Sequence, residues 1–234
     1  MAKTISVLVL RLEGVLQSWG EHAKWNFRDS ASMPTKSGIM GLLGCALGWE
    51  REDKRFLDLQ RQFKIVVRAD RQGNSICDFH TVQSTNLLNA EGKHRGSKGE
   101  YATLVTNRYY LQDACFTVFL IGERDFLQKL ENALQNPQWS LYLGRKSCVP
   151  SRPVLYGNVR DYETIEQAIQ DIPLAERADQ SVMLEIEDDF ENFTGNILYR
   201  PDEFTEIHRE FANRTVMRAK LKKENTEENQ NVSD

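Results

Sequence analysis

Apolar positions fall into short blocks separated by polar turns, and the periodicity inside each block predicts its element. The run Ile5-Ser6-Val7-Leu8-Val9-Leu10-Arg11-Leu12 is dense enough in branched residues to be a buried strand. Gly14 to Asp29, which holds two tryptophans, breaks the pattern and reads as loop. At Pro34-Thr35-Lys36-Ser37 a proline and two hydroxyls mark a helix start. Ile39, Leu42, Leu43, Ala46 and Leu47 then recur at the spacing of one buried helical face. Glycines at 38, 41, 44 and 48 interrupt that stripe, each costing a helix interior about 1 kcal/mol relative to alanine. Their presence predicts a helix lying very close to another backbone. A second helical stretch covers Asp53 to Gln62, and Phe63 to Ala69 is a strand rich in Ile and Val.

Polarity then rises from Asp70 to Asn107, whose middle carries Gly92, Gly96 and Gly99 among Lys93, His94, Arg95 and Lys98. Two readings stay open there: a disordered surface loop, or a long hairpin pairing Cys77–Gln83 with Ala102–Arg108 beneath a basic tip. Arg108 to Ile121 is the longest strand expected, Asp125 to Gln135 an amphipathic helix stopped by Asn136-Pro137, and Pro153 to Val159 a short strand. The order is β-α-β, an insertion, then β-α-β, so the fold class expected is α+β, ferredoxin-like in the manner of RNA-recognition motifs. Residues 1–76 and 108–160 would form that body, 77–107 the inserted hairpin, and 161–222 a small β-rich extension. The extension is expected to hold a helix at Thr164–Gln170 and strands at Ser181–Glu187 and Thr215–Leu221, followed by a flexible acidic tail at 223–234.

Charge refines this picture. The formal charge is −4, and the tail's Glu224, Glu227, Glu228 and Asp234 account for all of it. Within the balanced body, Ser140–Arg160 holds Arg145, Lys146, Arg152 and Arg160 and no acid, whereas Glu185–Glu206 is rich in carboxylates. Such segregation permits a basic face that meets a polyanion. The first apolar block is too short to span a membrane and lacks a cleavage site, so a cytoplasmic protein without membrane contact is expected. Cys45, Cys77, Cys115 and Cys148 are scattered without any CxxC pair, which predicts buried thiols and no metal site.

The residues give little support to an enzyme, and no cofactor is expected. The histidines at 22, 80, 94 and 208 form no metal-binding pattern, and neither a phosphate-binding P-loop nor a dinucleotide fingerprint is present. His80, in Asp78-Phe79-His80-Thr81, could serve as an acid–base group near Tyr109 or Tyr110, or simply make a structural hydrogen bond. Tyr142-Leu143-Gly144-Arg145-Lys146-Ser147-Cys148 is more informative. Gly144 lets the backbone approach a phosphate, Arg145, Lys146 and Ser147 can contact it, and Tyr142 offers a stacking face. Pro34 to Gly38 is either a second anion cradle, using Lys36 and Ser37 at a helix N-terminus, or ordinary capping.

Four ordered blocks carry a resemblance. Leu12-Glu13-Gly14-Val15-Leu16-Gln17-Ser18-Trp19-Gly20, Pro34 to Gly44, Asp78-Phe79-His80-Thr81-Val82 and Tyr142 to Cys148 resemble the CasD family. That family supplies a subunit of Cascade, the type I-E CRISPR surveillance complex, and belongs to the RAMP superfamily. The resemblance implies a palm with a projecting hairpin thumb that binds the repeat-derived 5′ handle of the CRISPR RNA (crRNA). It also implies neighbours: a backbone subunit, the large subunit that reads the PAM and, through the complex, target DNA at its PAM-proximal end. Arg28, Arg108, Tyr142, Arg145 and Lys146 are the handle contacts it implies, and the thumb cations Lys93, Arg95 and Lys98 are added as RNA contacts. A role as a non-catalytic subunit follows. The alternative is a metal-independent endoribonuclease that cuts repeat RNA, as in type I-C relatives.

Overall fold

A computed structural model describes residues 4–22, 26–89, 91–97, 99–187, 193–207 and 210–221. The acidic tail expected at 223–234 lies outside them. In chain order the elements are β1 (Ile5–Glu13), β2 (Leu16–Gln17), β3 (Phe27–Arg28), α1 (Lys36–Leu47), α2 (Arg55–Leu59), β4 (Phe63–Arg71), β5 (Asn74–Ser84) and β6 (Ala102–Gln112). There follow β7 (Cys115–Gly122), α3 (Arg124–Gln135), β8 (Arg160–Tyr162), α4 (Ile165–Asp171), β9 (Met183–Glu187), β10 (Asn196–Phe204) and β11 (Phe211–Lys220).

Alternation along the strands builds the main sheet. Seven strands run in the order β10-β11-β9-β4-β7-β1-β8. Leu10 pairs with Val118 on one side of β7, and Val67 pairs with the same valine on the other. Leu8, Leu10, Leu12, Ile65, Val67, Phe116, Val118 and Leu120 therefore share one face, packed with Ile39, Leu42 and Leu43 of α1 and Leu127, Leu130 and Leu134 of α3. The opposite face sets Val7, Val9, Val66, Phe119, Leu184 and Ile186 against Ile165, Ala168 and Ile169 of α4. Burial on two faces explains why β1, β4 and β7 read as nearly continuous apolar runs.

The glycines of α1 have a different use from the one expected. A Cβ on Gly38 would lie 2.8 Å from the Trp19 ring, and one on Gly44 would lie 2.4 Å from Phe56. Aromatic rings, not another backbone, press on this helix. Gly48 ends it in the left-handed conformation at φ 71°.

Three strand expectations change. The stretch Arg108–Ile121 is two strands, broken at Asp113, whose φ is 56°. Asp tolerates that left-handed geometry, and Arg71 Nε holds the turn by donating to the Asp113 carbonyl. Pro153–Val159 is an extended connection rather than a strand: Arg11 N donates to Val154 O (2.8 Å) and Tyr156 N to Val9 O (3.0 Å) before β8 begins. Finally, β10 was not expected at all. It turns Arg200 and Asp202 inward and leaves Ile197 63% exposed, the inverse of the usual apolar-inside pattern.

Buried ion pairs compensate for that inversion. Arg200 meets Glu185 at 2.8 Å and also pairs with Glu21, Arg214 grips Asp202 at 2.8 Å, and Arg218 reaches Glu185 at 2.8 Å. Burial works against the charge on Arg214, but Asp202, aided by Glu187 and Glu185, raises its pKa. Two groups of α1 join the cluster: Lys36 Nζ pairs with Glu187, and the Lys36 amide donates to Asp202 Oδ2 at 2.7 Å. The last three strands are thereby locked to the start of the helix.

Candidate nucleic-acid interface

A second, smaller sheet leaves the body. β5 and β6 form an antiparallel hairpin, Asn74 opposite Gln112 and Ser84 opposite Ala102, while β2 and β3 flank the base of β6 along its other edge. Gly73, at φ 72°, and Asp113 form the two turns at its root. The far end is a tight turn in which Asn89 Oδ1 accepts from the amides of Glu91 and Lys93, each at 2.9 Å.

Residues opposite one another across these strands share a face. Phe27 pairs with Asn107 and lies 4.9 Å, ring to ring, from Tyr109. Phe79, also opposite Asn107, is 68% exposed, so this side presents aromatic surface. A hydrogen bond with Cys77, across the strand, is the main reason the Tyr109 hydroxyl's pKa is raised. On the other side Arg28 is paired in register with Arg108, and Tyr110 is its buried next neighbour on that face. Arg108 Nε donates to Thr106 Oγ1 at 3.2 Å, and Arg28 is exposed.

The loop at residues 143–148 packs against this base. Leu143 N donates to Cys148 O and Cys148 N to Arg145 O, both at 2.8 Å, which closes the loop. Ser18 N donates to Leu143 O at 3.1 Å and fastens it to the body. Gly144 has φ 85°, and a Cβ there would lie 1.8 Å from Ser18 O, so the loop requires glycine. Arg145 lies over the Tyr110 ring, 4.7 Å from its centroid, and its Nη2 donates to the carbonyls of Arg28 (2.9 Å) and Asp29 (3.3 Å). Lys146 and Ser147 are exposed beside it. Burial of Cys148 pushes its thiol pKa up, against the opposing influence of Ser147 and Arg145.

Arg28, Arg108, Gly144, Arg145, Lys146 and Ser147 are thus drawn together at the hairpin base. Other expected contacts are not. Lys36 is 2% exposed and spent on Glu187, and the amide end of α1 is filled by Thr35, which caps Gly38 N at 3.1 Å, and by Asp202. The cradle expected at Pro34–Gly38 already holds the protein's own carboxylate. Ser37 Oγ is turned to Thr35 at 3.4 Å. Tyr142 is half-buried near Cys45, and burial first, then that thiol, raises its pKa. Lys93, paired with Glu91 at 3.1 Å, and Arg95 sit at the hairpin tip, about 20 Å along the strand from Arg108 at the usual rise per residue. Lys98 lies outside the described residues.

The aromatic side was missed by sequence reasoning because Phe27 falls in a segment without periodicity, and only the pairing of β3 with β6 brings it to Tyr109. His80 Nδ1 is 3.6 Å from Asp78 Oδ2 on the exposed hairpin. Among the described residues no cluster of His, Cys, Asp and Glu could hold a metal ion. Cys45, Cys115 and Cys148 are buried, as expected of scattered thiols, but Cys77 is exposed. No helix among the described residues is long and apolar enough to cross a membrane.

The mixed α/β chain brings three arginines to the base of an aromatic hairpin, and its relatives are CRISPR-associated proteins. The chain belongs to the CRISPR-associated protein family (Cas_Cas5), whose sequence pattern matches residues 7–217. It is 36% identical over 164 residues to the CRISPR system Cascade subunit CasD of Escherichia coli (strain K12), an alignment covering 65% of this chain and 70% of the relative. Its structure is similar to a chain of a CRISPR RNA-guided surveillance complex, with a TM-score of 0.73, 32% identity and 92% and 89% of the two chains covered. It is also similar to a Cas protein known from a crystal structure, with a TM-score of 0.66, 31% identity and 92% and 94% covered.

Proposed function

We propose that the chain is a non-catalytic subunit of a type I-E CRISPR surveillance complex and holds the 5′ handle of the crRNA at the hairpin base. One observation carries the reading: Arg28, Arg108 and the Gly144–Ser147 loop converge in a family member that resembles a surveillance-complex chain. Cations on one side of the hairpin base would neutralise phosphates, while Phe27, Tyr109 and Phe79 on its other side would give bases that pass around the edge a sequence-tolerant platform. The backbone subunit, the PAM-reading large subunit and PAM-proximal target DNA are its proposed neighbours. A ferredoxin-like palm is supported by the antiparallel order β8-β1-β7-β4, with α1 following β1 and α3 following β7. The β5–β6 hairpin would be the thumb.

Titrating purified protein with handle RNA over a range of salt tests the reading. Arg28→Ala and Arg108→Ala should each weaken binding and reduce the magnitude of the log–log salt slope by roughly 0.7, the single-strand value per phosphate contact. Unchanged affinity and slope in both variants would remove the site. The exposed His80–Asp78 pair supports a second reading, cleavage of repeat RNA, and a gel of the same mixtures in EDTA examines it. Specific cutting that disappears in His80→Ala would replace the holding role with an endonuclease.

A further inference from the structure

Arg28 is exposed on β3, a strand only two residues long. So short a strand does not hold itself in place, and what fixes it determines where the Arg28 charge points. Along β6 it has the register of Phe27 with Asn107 and of Arg28 with Arg108, and Asn107 N donates to Asn26 O at 2.9 Å. From the other side it is gripped by Arg145, whose Nη2 bonds the carbonyls of both Arg28 and Asp29.

The Arg145 guanidinium is half-buried, and two of its three nitrogens are turned to the protein. Its central carbon lies over Tyr110, itself 7% exposed, and Nη2 is engaged with two carbonyls. Nη1 is shut away from solvent with no hydrogen-bond partner. A nitrogen that water does not touch is not within reach of a docking phosphate. The base of the side chain is equally fixed, because the closed loop is fastened at Ser18 and Gly144 abuts Ser18 O. Lys146, one residue on, is exposed.

We infer that Arg145 is a positioning residue: it clamps β3 between the Gly144 loop and β6 so that Arg28 faces the RNA, and it makes no phosphate contact of its own. The inference rests on the RNA-site reading above. Lysine does not substitute: its ammonium could reach the two carbonyls that Nη2 bridges, but it has no further guanidinium atoms to lie over the Tyr110 ring at the same time.

Binding of labelled handle RNA across salt tests it, with thermal melts confirming that each variant folds. Arg145→Met should reduce the slope by roughly 0.7, as Arg28→Ala does, because it releases the same contact. Combining the two should cost nothing more, and Arg145→Lys should behave like Arg145→Met despite keeping its charge. A double variant that loses roughly 1.4 of slope, or a lysine variant that keeps the wild-type slope, overturns the inference and makes Arg145 a direct phosphate contact. If Arg28→Ala and Lys146→Ala also leave the slope unmoved, the RNA-site reading falls and the inference falls with it. Should Arg145→Met not fold, the lysine variant alone still decides.

Discussion

At the scale of single residues, the hairpin base depends on groups that cannot be exchanged. Gly144 combines a left-handed φ with a contact that leaves no room for a Cβ. An L-residue there incurs about 1–2 kcal/mol for the backbone alone, before the collision with Ser18 O forces the loop away. Gly144→Ala should therefore lower the urea midpoint and weaken handle binding together, and a variant with wild-type midpoint and affinity would show that the loop is free to move. The motif around Gly144 was legible in the sequence because its residues are contiguous. The partners were not: Tyr110 and the carbonyls of Arg28 and Asp29 are brought to Arg145 from 35 or more residues away in the chain. Lys36 shows the opposite failure. A lysine at a helix start reads as an anion contact, and nothing local announces that Glu187 will be seated against it.

Secondary-structure elements were legible where one periodicity ruled. α1 and α3 follow their apolar stripes, and Thr35 and Thr164 cap helices by accepting from Gly38 N and Gln167 N. β1 and β4 announce themselves through burial on both faces. β10 stayed hidden because its inward residues are charged, and its pattern acquires a meaning only through Arg214 and Glu185 on neighbouring strands. The cluster makes a prediction at this scale. Lys36→Met leaves Glu187 buried beside an apolar chain, and breaking such a pair costs about 3–5 kcal/mol. Replacing both partners, as in Lys36→Met with Glu187→Leu, should recover much of that loss in chemical denaturation, although Ile65 N then loses its bond to Glu187 (2.9 Å). A single variant within 1 kcal/mol of wild type would mean that this pair does not join α1 to β9.

For the whole molecule, the body and the hairpin are separate undertakings. The large core is shared by the seven-stranded sheet and its helices, whereas the hairpin tip adds nothing buried at residues 91–97. Replacing residues 86–100 by Asn-Gly should leave the melting temperature within about 2 °C, since surface changes usually stay within ±0.5 kcal/mol. It should also leave the handle-RNA salt slope unchanged, because Lys93 and Arg95 stand far from Arg108. A slope reduced by about 2 would put all three tip cations on the handle. What the sequence by itself determined was the set of local conformations, the charge segregation and one contiguous loop, since periodicity, capping and glycine geometry act over a few residues. Tertiary structure alone decided which arginines face solvent. Arg28, Arg145 and Arg200 are the same residue type, yet one is exposed, one is clamped on a tyrosine and one is buried among carboxylates. That difference comes from strand pairing and from partners distant in the chain, because a guanidinium's role is set by which acceptors the fold brings to it.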